Sequence, residues 1–169
     1  MTYFSRFEDV YIRFSVYLIG DKISKTYQTG YYLAENYLAN MNRVFFGEQH
    51  LVDNIENDKE VFIIFEIINI TNQNGARSME LIGWTLLRPF DDYEGFVQKK
   101  WVIPLFQPPV QYSVRPKQAV DNLNFLGGNK LFLRICVPRN SKLNYKIRKQ
   151  DPISADYSSS ADYILVDCA

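Results

Sequence analysis

VFIIFEIINI, residues 61–70, is apolar at every position except Glu66 and Asn69 and is rich in β-branched and aromatic types. Such a run suits a central β-strand covered on both faces, because side chains of either parity then leave water. A buried helix has the same bare apolar signature, so the surrounding sequence decides between them. Upstream, Val10, Ile12, Phe14, Val16 and Leu18 alternate with Tyr11, Arg13, Ser15 and Tyr17. Period two over this length marks a strand with one buried face, ended by Gly20-Asp21. Residues 26–49 mix aromatic and polar types without a helical stripe, and short strands around 31–32 and 44–46 are expected there.

Downstream, TNQNGAR (71–77) carries an Asn-Gly pair among polar residues and reads as a surface loop. LIGWTLLRPF (81–90) and KKWVIPLFQPP (99–109) follow as two aromatic-aliphatic strands around the acidic turn DDYEG (91–95). Pro89, Pro104, Pro108 and Pro109 place these strands at edges or end them, since proline has no N–H to give a ladder. Residues 116–130 are polar and glycine-rich and read as a long connection with one helical turn over 118–123. LFLRICV (131–137) is the last clear strand. Many short strands, regular turn signals and no sustained 3.6-residue period indicate an all-β fold, an antiparallel β-sandwich.

After Pro138 the composition changes. SKLNYKIRKQ is basic and leads into DPISADYSSSADYILVDCA, in which Ser-Ala-Asp-Tyr occurs twice. Such a segment cannot bury itself, so residues 139–169 are expected as an extended or disordered tail behind a domain of residues 1–138. The apolar end, ILVDCA, reads as an extended strand docked on another surface. A chain of 169 residues with 47% hydrophobic and 15% aromatic content supports one packed core and not two.

Nineteen Lys+Arg balance nineteen Asp+Glu, so no overall field draws the chain to nucleic acid, and only a local patch would bring it to an anionic membrane. Two cysteines, Cys136 and Cys168, and one histidine, His50, make neither a disulfide framework nor a zinc site. No apolar stretch reaches the ~20 residues of a membrane span. The expectation is a soluble cytoplasmic protein.

Catalysis needs groups that exchange protons or form bonds, and few cluster here. His50 lies beside Glu48 in GEQHL without a motif that supplies partners, and a loop histidine explains it. Gly127 and Gly128 lack the spacing of a phosphate loop. Asp91, Asp92 and Glu94 form the densest carboxylate group, but without the alternating donors and bend glycine of a calcium loop they read as a solvated turn. Lys99, Lys100, Lys142, Lys146, Arg148 and Lys149 are local basic groups. No catalytic residue, metal or cofactor is expected.

Glu48, Gly83, Trp84, Pro89, Phe90, Gly95, Trp101, Pro104, Leu105 and Phe106 fall in an order that resembles a C2 domain. The likeness is greatest to the divergent C2-like domains of ciliary and basal-body proteins, the nephrocystin family and axonemal coiled-coil proteins among them. It covers residues 5–137, with its specific part in 44–110. Where calcium-binding C2 domains carry several aspartates, this chain has TNQNGARSMEL, with Glu80 the only acid, so the resemblance implies a calcium-independent copy. It further implies a non-catalytic scaffold of a ciliary axoneme or related cytoskeletal assembly, with tubulin or other axonemal proteins as partners. The alternative is a calcium-independent peripheral membrane module. Trp84, Trp101 and Phe106, with Tyr157 and Tyr163 of the tail, are the candidate partner-binding residues; core packing of the sandwich is the competing explanation for the first three.

Overall fold

The computed structural model describes residues 9–30, 32–33, 48–53, 55, 58–73, 75–92, 95–113, 123–136, 146–149 and 163–168. Its spine is the strand Val61–Gln73 (β6, with strands numbered in chain order). Along one edge β6 pairs antiparallel with Asp9–Leu18 (β1), in register from Asp9↔Ile70 to Leu18↔Val61. Along the other it pairs with Ala76–Leu87 (β7), from Gln73↔Ala76 to Ile63↔Leu87. Both faces are covered as well. Val61, Ile63, Phe65 and Ile67 enter the main core, Phe62 and Ile64 join Tyr17, Trp84 and Phe106 on the opposite face, and Ile68 and Ile70 pack with Tyr11. A strand with neighbours on both edges and protein on both faces has little place for polar side chains, which explains the composition of residues 61–70.

From β7 the sheet continues through Gly95–Phe106 (β8), Phe125–Cys136 (β9), Tyr163–Cys168 (β11) and Glu48–Asp53 (β5). Asp21–Lys22 (β2), Tyr27–Gln28 (β3) and Tyr32–Leu33 (β4) line the free edge of β1, and Lys146–Lys149 (β10) runs parallel to residues 95–98 of β8. All other pairings are antiparallel, and there is no helix among the described residues. The sheet curls into a half-barrel, so that its two ends meet. The Phe14 ring of β1 lies 5.3 Å from the His50 ring of β5, and the Gly30 N–H donates to Glu48 Oε1 at 2.6 Å. Strand twist and the bulge between Ile67 and Ile68 give the curl its sense.

The path is thinnest between β7 and β8, which share one register pair, Trp84↔Phe106, before they diverge. Gly83 sits at this seam. A Cβ there would stand 2.8 Å from Leu126 Cδ2 and 3.2 Å from the Phe106 carbonyl oxygen, so glycine is what permits the close approach. Pro104 lies inside β8 at the irregularity between residues 104 and 106. It does not end the strand, but at this position β8 has a register partner among the described residues only on its β9 side, as the expected edge placement requires.

Several strands are longer than the sequence pattern indicates. Residues 71–77, read as a loop, are instead the end of β6, a turn with Gly75 at φ 81°, and the start of β7. Residues 76–80 are exposed throughout, and a strand in water on both faces needs no hydrophobic period. Likewise β9 starts at Phe125, not 131. The strand expected around 44–46, and all but the last residue of the helical turn expected over 118–123, lie outside the described residues. The expected tail contains β10 and β11, and β11 is paired on both sides, with β9 and β5.

Because β11 joins β5 to the sheet, removing residues 159–169 is expected to detach β5 and open the core at Val52. Thermal unfolding should show a loss of at least about 3 kcal/mol, or about 6–12 °C in Tm. An unchanged Tm would show that β11 adds nothing to the fold.

Candidate interaction surface

Among the residues singled out from sequence, Trp84 and Phe106 are brought together and buried, their ring centroids 5.4 Å apart. Trp84 Nε1 donates to the Gln107 carbonyl at 2.9 Å, which satisfies the one polar atom of the indole. Trp101 lies elsewhere, half-buried against the main core, with Lys99 Nζ 3.9 Å from its ring centroid in a cation–π contact. Tyr163 opens β11, its backbone opposite Asp53. Tyr157 lies outside the described residues.

The Trp84–Phe106 cluster is roofed by the chain that leaves β8. Val110 packs on it, and the Tyr112 hydroxyl donates to Glu66 Oε1 at 2.6 Å. Glu66, only 7% exposed, also accepts from Arg13 Nε at 2.7 Å and Nη2 at 3.1 Å. Arg13 and Glu66 are directly opposite in the β1–β6 register, so strand pairing delivers this two-pronged ion pair without any further folding. Burial, and then the hydrogen bond to Glu66, push the Tyr112 phenol up to about 12. Tyr17, whose ring is 5.5 Å from that of Tyr112, is also raised, by burial first and then by the Glu66 charge. Arg13 is raised chiefly by its hydrogen bond to Glu66. The arrangement fastens residues 107–113 over the outer face and leaves Glu66 fully engaged.

His50 is held between aromatic rings, 5.3 Å from Phe14 and 6.4 Å from Tyr27, and its Nε2 stands 3.4 Å from Glu48 Oε2 without hydrogen-bond geometry. Asp91 Oδ1 accepts from the Gly95 N–H at 2.8 Å, and Asp92 pairs with Arg88 at 2.7 Å, so these carboxylates close the β7–β8 turn. No group of three or more His, Cys, Asp or Glu placed to hold a metal ion occurs among the described residues.

The outer face of β8 and β9 presents a different chemistry. Register pairs set Lys100 opposite Arg134, Val102 opposite Phe132, Pro104 opposite Lys130 and Phe106 opposite Phe125. Inner positions such as Ile103, Leu105, Leu131 and Leu133 are buried, whereas Val102 is 55%, Phe132 38% and Phe125 52% exposed. An apolar row thus lies in water between two rows that carry cations. Neither strand contains an acidic residue, so all four of their charges, Lys99, Lys100, Lys130 and Arg134, are positive. The nearest acid in the register is Asp167 of β11, opposite Arg134. The sequence showed the lysine pair at 99–100 and an apolar run at 131–137, but nothing in it showed that the two share a face.

Residues 19–157 match the family model of the CCDC17 C-terminal domain, a span from β2 to β10 that leaves out β1 and β11. No curated protein matches the chain.

Tyr112→Phe keeps the ring and removes the hydrogen bond to the buried carboxylate; with Tyr112 40% exposed, a cost of about 1 kcal/mol is expected near neutral pH. The folded phenol holds its proton above its ordinary value of 10, so this contribution is complete below pH 10 and disappears as the pH rises towards 12. Urea unfolding of both proteins from pH 7 to 11.5 should show the difference shrinking above pH 10. A difference independent of pH would contradict the assignment of the proton to this bond.

Proposed function

Because the chain belongs to the CCDC17 C-terminal domain family, we propose that it is a non-catalytic scaffold module of a ciliary axoneme or related cytoskeletal assembly. The observation that carries this reading is the solvent-facing apolar row of Val102 and Phe132 between cations, held on two long paired strands. A rigid strand surface of this kind costs little entropy to dock, which suits a permanent contact. Two further features support the reading. The single register pair between β7 and β8, Trp84↔Phe106, is the thinnest link in the curled sheet, and a C2-like sandwich would part there. The family is one of coiled-coil-domain-containing proteins, the same description as the axonemal proteins that the Trp84–Phe106 region resembles.

The acid-free pair β8–β9 also favours a second reading, a calcium-independent module on an anionic membrane surface, where each basic residue adds about 1 kcal/mol. The two separate in one experiment. A tagged copy expressed in a ciliated cell is expected in the cilium, and after isolation it should stay in the detergent-insoluble, salt-resistant axoneme. Release by detergent alone would favour the membrane module. Absence from cilia would overturn the ciliary assignment.

A further inference from the structure

We propose that the free edge of β7 joins a second copy of this chain, the two β7 strands pairing antiparallel about a two-fold axis at Met79. The inference is independent of the scaffold reading and concerns a different part of the sheet. β1 accompanies β6 only as far as Asp9↔Ile70, and among the described residues β7 meets β8 at Trp84↔Phe106 alone. Residues 71–73 of β6 and 76–81 of β7 therefore stand as a two-stranded ribbon, in which residues 76–80 are exposed. Such a ribbon is marginal in water, and its outer edge offers a row of backbone groups to another strand. Edges are ordinarily blunted by lysine or proline, and residues 76–81 carry neither. The bulge between Ile67 and Ile68 ends the regular ladder at Leu81.

Symmetry and charge identify the occupant. For the same edge of both copies to face one ladder, the axis must stand normal to the sheet, so each residue meets one of its own parity. An axis at Arg77 or at Glu80 would oppose two like charges. One at Ser78 leaves Leu81 out and brings the two arginines within two residues of each other along the ladder. One at Met79 pairs residues 77–81 throughout, with Arg77 opposite Leu81 and Ser78 opposite Glu80 of the second copy. On one face Met79, 73% exposed, then meets its own counterpart. Met79 and Leu81 lie opposite Ile70 and Ile68 in the register, beside the small cluster that Ile68, Ile70 and Leu81 make with Tyr11. The Tyr11 hydroxyl donates to Met79 Sδ at 3.6 Å, so pairing extends a cluster already present, with the Arg77 stem laid over Leu81. On the other face Ser78 Oγ is 2.6 Å from Thr71 Oγ1. When Thr71 donates to it, the Ser78 hydroxyl is left to donate to the second copy's Glu80. Two marginal ribbons become one four-stranded antiparallel sheet.

The test is sedimentation of the full chain and of its Met79→Lys and Met79→Glu variants. A five-residue ladder is a small interface, so a reversible dimer is expected between about 5 and 500 μM. Each variant opposes two like charges at the axis and should weaken association at least about tenfold. Mixed in equal amounts, the two variants should recover the lost affinity, because a lysine then faces a glutamate; contact through any other surface gives no such recovery. Unchanged circular dichroism and Tm will show that the fold is kept. Should either variant unfold, Met79→Cys under mild oxidation gives a second reading: peptide mapping should find a disulfide between the two residues 79, against the parent chain as control for Cys136 and Cys168. A chain monomeric at every concentration, a dimer indifferent to both variants, variants that do not combine, or no such disulfide would each overturn the proposal.

Discussion

A charged residue in the middle of the most buried strand sets the terms for the rest of this structure. Glu66 interrupts an otherwise apolar run, and its carboxylate would be costly in that place if nothing bonded to it. Strand pairing puts Arg13 opposite it, and the chain leaving β8 brings Tyr112 to the same oxygen that Arg13 Nη2 reaches. The pair is not a large source of stability in itself, since Arg13 is 41% exposed at its side chain and solvent screens that end. Its effect is positional. It sets the register of β1 on β6, because a slip of one residue would move Arg13 off Glu66 and turn every core side chain to the wrong face.

Once β6 is fixed, the two faces of the sheet follow different rules. Inside the curl, one cluster gathers residues from β1, β3, β5, β6, β7, β8 and β9, and the ends of the sheet close over Phe14, Tyr27 and His50. Outside, the sheet is roofed only in part. The segment after β8 covers Phe62, Ile64, Trp84 and Phe106, and where that roof ends the outer residues of β8 and β9 meet water. A polar or small residue at Val102 or Phe132 would be the ordinary choice for such a face. Apolar side chains there, between cations and with no acid on either strand, give the surface a recognisable chemistry on a rigid frame.

What the sequence revealed tracks how strongly burial imposes a pattern. β1 alternates plainly because Val10, Ile12, Phe14 and Val16 enter the main core, but it is not the strand with one buried face that the alternation indicates, since Tyr11, Ser15 and Tyr17 on its other face are buried too; β6 is covered on both faces by apolar side chains and wrote an apolar run. The Trp84 and Phe106 side chains were legible as large aromatics with a core alternative, and they are buried. The arm at 76–80 was not legible, because side chains in water on both faces carry no period. The start of β9 was hidden in the same way, by Gly127, Gly128 and Asn129 within the strand. β11 follows a serine-rich segment, and the strands that bracket it, β5 and β9, are remote in the chain, so nothing local announces that it is paired on both edges. The outer face of β8 and β9 was beyond reach for a related reason. Lys100 and Arg134, or Val102 and Phe132, become neighbours only through a register, and register is a property of the folded sheet.

If β6 is the strand on which the rest depends, its amides should be the last to open. Native-state hydrogen exchange measured residue by residue tests this most directly. The account predicts that amides of residues 62–68 exchange only through global unfolding, with those of β1 next, while residues 76–80 exchange through local opening at far lower cost. Earlier exchange in β6 than in β8 and β9 would contradict it, and would place the stable centre of the fold in the other part of the sheet.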